Sequence, residues 1–167
     1  MKQYLIELDL LLKTKENVTT YEGMISEITM NNPASLSEIL ECEKSLSQKF
    51  PEDYIFFLKQ YNGGIIFKFE DIAGYDMLGT KDVCKENAFQ KKNFGEDWSD
   101  DILLFCRIVG VDEYLGFKKN GCSYKILHCI MDSLPNEWTV IANSFDDFML
   151  RLIKERGKEY WLFSEGI

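Results

Sequence analysis

One histidine, His128, stands in 167 residues, and Cys129 beside it is the nearest candidate nucleophile. On a strand the two neighbours point to opposite faces, and no G-x-S-x-G elbow occurs elsewhere, so His128 reads as a hydrogen-bonded histidine on a sheet and not as a general base. The five cysteines, Cys42, Cys84, Cys106, Cys122 and Cys129, contain no C-x-x-C pair. Odd in number, widely spaced and partly inside apolar runs, they read as reduced core residues of a cytoplasmic protein. No apolar run approaches the roughly 20 residues that span a bilayer. Leu10, Leu11 and Leu12 are preceded by Glu7 and Asp9 and followed by no small-residue cleavage site, so no secretory signal is expected and the sequon Asn17-Val18-Thr19 carries no meaning. Repeats, low-complexity tracts and Pro/Gly/Ser linkers are missing too, which leaves residues 1–167 as a single domain. Cations are scarce: 19 Lys and Arg face 28 Asp and Glu, and the net charge of −9 repels nucleic-acid phosphates and anionic membranes. A basic protein partner is favoured.

Apolar residues, by contrast, are plentiful. At 46% hydrophobic and 14% aromatic, the chain can fill one core without a metal or a disulfide framework. Leu5, Leu8 and Leu12 recur at helical spacing from Tyr4 to about Lys15, while the segment from Val18 to Asn32 is ambiguous between helix and strand. Ser35 and Glu38 form a capping-box pattern ahead of Leu36, Ile39, Leu40, Leu46 and Phe50. Pro51 suits the first turn of a further helix, with Tyr54, Phe57, Leu58 and Tyr61 on one face and Asn62-Gly63-Gly64 ending it. Short runs rich in β-branched and aromatic residues follow at 65–69, 102–109, 114–118, 124–131 and 138–142, with an Asn120-Gly121 hairpin signal between two of them. Ser144 then caps a last helix reaching towards Gly157. The expected fold is α+β: a mostly antiparallel sheet packed against N-terminal helices and a C-terminal helix.

Chemistry is hard to find in this pattern. Gly74 to Lys81 superficially resembles a phosphate-binding loop, but Thr80 precedes Lys81 and Asp76 would repel a phosphate, so the stretch reads as a surface loop. Glu96-Asp97-Trp98-Ser99-Asp100-Asp101 lacks the alternating oxygen ligands and turn glycine of a calcium loop and reads as a solvated acidic turn. No catalytic residue, metal ligand or cofactor site is expected. The acids are nevertheless uneven: from Glu70 to Glu113 there are 11 acids and 5 bases, a net of −6. That segment is the candidate working surface, with Glu70, Asp71, Asp76, Glu96, Asp97, Asp100, Asp101, Asp112 and Glu113 as partner-binding acids and Trp98, an aromatic ringed by charge, as an apolar anchor.

Phe50-Pro51-Glu52-Asp53-Tyr54, then Phe57-Leu58 and Tyr61-Asn62-Gly63-Gly64, resembles the signature of the SUKH superfamily, the Smi/Knr-type group of bacterial immunity proteins and fungal cell-wall regulators. Pro33-Ala34-Ser35 with Ile39, Glu43 and Leu46 is similar to the helix that precedes the signature. Tyr114-Leu115-Gly116-Phe117, Trp138 and Ala142 to Phe148 are similar to its later elements. The resemblance covers roughly 33–156; residues 1–32 and 157–167 look like additions. The Tyr160 to Phe163 tail either closes the core or meets a second copy, and the oligomeric state stays open. The resemblance implies a non-catalytic protein that neutralises a toxin by binding its catalytic domain, or else a regulatory scaffold; the acidic charge makes a nuclease with a basic cleft the expected target. A carboxylate-based hydrolase is the remaining class, and no coherent catalytic set supports it.

Overall fold

The computed structural model describes residues 1–14 and 18–163. Among them run α1 (Gln3–Lys13), β1 (Glu27–Met30), α2 (Leu36–Leu46), α3 (Glu52–Leu58), β2 (Gly64–Phe69), β3 (Ala73–Met77), α4 (Thr80–Phe94), β4 (Ile102–Ile108), β5 (Glu113–Asn120), β6 (Ser123–Ile130), β7 (Thr139–Ala142) and α5 (Phe145–Lys154). The strands form one seven-stranded sheet in the order β1 to β7, antiparallel throughout, which establishes the α+β class. No helix among the described residues is long and apolar enough to cross a membrane.

The signature residues build this fold. The Ser35 hydroxyl accepts the Glu38 N–H, and the Glu38 carboxylate accepts the Ser35 N–H at 2.7 Å, closing the capping box that starts α2. Buried Glu43 turns the corner into α3, accepting the Phe50 N–H at 2.8 Å and the Lys49 ammonium at 2.9 Å. Pro51 is the residue before the first turn of α3 and frees Tyr54, Phe57 and Leu58 to face the sheet, all fully buried. The Tyr54 hydroxyl donates to the Leu78 carbonyl at 3.0 Å. Asn62 then reaches α4, accepting the Thr80 N–H at 2.8 Å, which satisfies one of the donors a helix start leaves open. Gly63 has φ +79°, and a Cβ there would run into the Met77 carbonyl oxygen, so the sharp entry into β2 demands glycine.

Two apolar clusters flank the sheet. One joins Phe105, Leu115, Phe117 and Ile126 to Tyr4, Leu8, Tyr54, Phe57, Phe145 and Phe148 on α1, α3 and α5. On the opposite face Ile102, Leu104, Leu127, Cys129 and Trp138 pack with Phe94 and Trp98.

Several expectations are corrected. The stretch from Gly74 to Lys81 is not a surface loop: Gly74 to Met77 lie within β3, and Leu78, Gly79 and Thr80 are buried at the start of α4. β1 and α4 were not expected at all. α4 hides because its buried face is polar: Asn87 gives its amide to the Leu104 carbonyl at 2.9 Å and accepts the Leu104 N–H at 2.8 Å, pairing β4 where β3 has ended. On α2, Leu36 and Leu40 face outwards, and Ile39 and Cys42 form the buried stripe. The expectation of five reduced core cysteines also fails. Cys42 and Cys84 are joined in a disulfide between α2 and α4, their Cα atoms 5.8 Å apart, and Cys122 is exposed in the β5–β6 turn. The tail divides: Tyr160 is buried, Trp161 packs on Phe148 and Tyr75, and Leu162 and Phe163 are exposed. Lys15 and Asn17 lie outside the described residues.

Candidate functional site

The acidic segment is continuous in sequence and divided in space. Glu70 and Asp71 sit at the β2–β3 turn, and Asp112 and Glu113 at the β4–β5 turn. Gly110, at φ +91°, packs against the backbone of Ile72, which locks those two turns together at one end of the sheet. Glu96, Asp97, Asp100 and Asp101 precede β4 and therefore lie at its other end, where the Lys119 N–H donates to the Asp101 carbonyl at 2.9 Å. At a rise of about 3.3 Å per residue, β4 holds the two groups about 20 Å apart. Asp76 belongs to neither: it faces outwards from β3, 3.5 Å from Arg107, which also meets Glu86 at 2.8 Å. Trp98 is half-buried, its ring centroid 6.1 Å from Phe94 and 6.2 Å from Trp138.

Partners further separate the acids. Asp71 pairs with Lys68 at 3.3 Å, Asp100 with Lys91 at 2.6 Å, and Glu113 with His128 at 2.6 Å. Among the described residues Glu70, Glu96, Asp97, Asp101 and Asp112 make no ion pair. The turn end also exposes Ile72 and Val111, so it offers carboxylates beside apolar surface, the mixture a protein partner needs.

Next to this end the β2–β3 hairpin walls a cavity of about 220 Å³. Phe67, Phe69 and Tyr75 line it from the sheet, Tyr21 and Glu22 from the preceding hairpin, and Glu159 and Phe163 from the tail. Hydrogen bonds hold the three segments in place. The Tyr75 hydroxyl donates to the Gly157 carbonyl at 3.0 Å, and the Tyr21 N–H donates to the Arg156 carbonyl at 3.1 Å. Sequence reasoning missed Tyr21, Glu22 and Glu159 because the cavity exists only after distant segments meet.

Buried His128 bonds Glu113 and lies against Trp161, ring centroids 5.7 Å apart, so it is the hydrogen-bonded sheet histidine expected. Glu159 stands nearby. Burial pushes its carboxyl up from the ordinary 4.5, the Glu113 charge adds to the rise, and His128 opposes it. Since the folded state holds the proton more tightly than the unfolded chain, this group's stabilisation is complete below pH 4.5 and is lost as pH rises through the higher folded value. Glu159→Gln is therefore expected to raise the thermal midpoint at pH 7 and to leave it unchanged near pH 4. Equal midpoints for variant and parent across that range would refute the assignment. No group of three or more His, Cys, Asp or Glu side chains among the described residues could hold a metal ion.

The sequence model of the SMI1 / KNR4 family (SUKH-1) matches residues 33–151. The chain belongs to this family. The matched SUKH-1 region holds the signature helix α3, Asn62 and Gly63, and all strands except β1. "Uncharacterized protein YnaB" of Bacillus subtilis (strain 168) is 28% identical over 133 residues, covering 78% of this chain and 83% of that protein. "Immunity protein RhsIB" of Dickeya dadantii (strain 3937) is 26% identical over 125 residues, covering 73% of this chain and 75% of that protein. The Tyr21, Glu22, Glu159 and Phe163 walls of the cavity lie outside the SUKH-1 match, whereas Phe67, Phe69 and Tyr75 lie inside it.

Proposed function

We propose that the chain is a cytoplasmic immunity protein that neutralises a toxin by binding its catalytic domain, and that the toxin is a nuclease. The likeness of this SUKH-1 chain to a protein named as an immunity protein carries the reading. The chain acts by occupation and not by turnover. A nuclease needs a basic cleft to hold phosphates, and a net charge of −9 favours association with such a cleft. The turn end of the sheet, with Glu70, Asp71, Asp112 and Glu113 around Ile72 and Val111, is the surface assigned to this contact. Its carboxylates stand where the phosphates of the substrate would lie. Charge complementarity of this kind speeds encounter, and the apolar residues between the acids supply desolvated contact.

Affinity capture with the tagged full chain from its own organism, washed at low and moderate salt, tests the proposal when the captured protein is then assayed. Recovery of a protein that degrades nucleic acid, and whose activity falls to background when this chain is added in equal amount, is the expected result. A captured protein whose activity this chain leaves untouched would overturn the immunity reading. A neutralised toxin with another activity would overturn the nuclease assignment alone.

A further inference from the structure

We infer that the cavity beside the turn end is a receptor for one arginine side chain of the partner protein. The inference rests on reading this end of the sheet as the partner-binding surface, and it adds the chemistry of the contact. At about 220 Å³ the cavity falls below the roughly 300–1,000 Å³ of small-molecule pockets and suits a single side chain. Phe67 and Tyr75 are buried and form a fixed aromatic floor, while Tyr21 and Phe163 are exposed at the rim. Aromatic faces attract cations, and the ammonium of Lys158 already lies over two of these rings, 4.7 Å from the Phe163 centroid and 5.9 Å from that of Tyr21.

Glu22 and Glu159 line the cavity, and the Glu159 side chain makes no hydrogen bond or ion pair with any described residue. A half-buried carboxylate among aromatic rings bears a desolvation cost that an arriving cation offsets. A planar guanidinium can stack on the rings and bond a carboxylate through its edge at the same time, which an ammonium cannot do. Tyr21, Glu22, Glu159 and Phe163 lie outside residues 33–151, so the charged walls and the rim of this receptor belong to this chain's own segments, while its floor, Phe67 and Tyr75, lies in the matched family region. It is a place where partner choice is written.

Titration of the full chain with N-acetyl-arginine amide, followed by the NMR amide signals of Gly74 and Gly157 in the cavity lining, tests the assignment. Saturable shifts confined to the lining are expected. N-acetyl-citrulline amide, the uncharged isostere, should produce none. Glu159→Gln, which keeps the fold, should weaken the arginine probe about tenfold, the loss of one charge-assisted hydrogen bond. Tyr21→Ala at the exposed rim should weaken it as well. Equal shifts with citrulline, or none with arginine, would overturn the proposal, and choline binding as tightly as arginine would overturn its assignment to a protein side chain. The probe needs no toxin, so failure here leaves the capture experiment standing, and failure of the capture leaves this result standing.

Discussion

Tyr54→Ala is expected to destabilise the protein by about 3–5 kcal/mol, the range for emptying a fully buried aromatic site. The ring lies within 5.2–6.3 Å of the Phe50, Phe57, Phe105, Phe117 and Phe145 ring centroids, so its removal opens the centre of the aromatic core. Tyr54→Phe keeps the ring and leaves the Leu78 carbonyl without the bond at 3.0 Å, which should cost only about 1–2 kcal/mol. Urea unfolding read by circular dichroism separates the two, provided the slopes stay equal. A phenylalanine variant as unstable as the alanine one would mean that the hydroxyl, and not packing, makes this residue necessary.

Neutralising Glu70, Asp71 and Asp112 together as Gln, Asn and Asn is expected to slow association with the neutralised toxin about tenfold at low salt, with the difference shrinking as salt rises. The matching change of Glu96, Asp97 and Asp101 should leave the rate nearly unaltered. The two groups are about 20 Å apart, whereas charges are screened over about 8 Å at physiological ionic strength. All six side chains are exposed, so neither variant disturbs the core. Stopped-flow or surface-based kinetics at several salt concentrations would decide between the ends. A slow second variant and an unaffected first would move the interface to the start of β4.

Much of the fold is legible because local rules and tertiary packing agree. Ser35 with Glu38, Ser144 accepting the Asp147 N–H at 3.1 Å, and Gly121 at φ +62° in the β5–β6 turn all do in the structure what their types suggest. α4 escapes for a physical reason. Its buried residues are Thr80, Val83, Asn87 and Gln90, and a helix that satisfies a strand's backbone through an amide presents no apolar stripe to find. β3 escapes because Gly74 and Asp76 break up the kind of apolar run that marks β4 to β6. The candidate site was half legible: the acids are visible in composition, but their division between two ends follows only from strand register. The aromatic cavity has no local signature, since Tyr21, Tyr75 and Glu159 are neighbours only through the fold.

The strand order has a consequence for how the binding end comes into being. β2 and β3 are joined by the short turn 70–72, and β4 to β7 follow one another through successive short links, while residues 78–101, with α4, separate the two sets. Strands β2 to β7 are thus two locally zipped panels meeting at a β3–β4 seam, and closing the connection through α4 is entropically dearer than closing the links within either panel. Ile72 comes from one panel and Gly110 from the other, so the acidic turns become neighbours only when the seam is shut. Any opening along it would disperse the binding end while leaving each panel's own pairing intact.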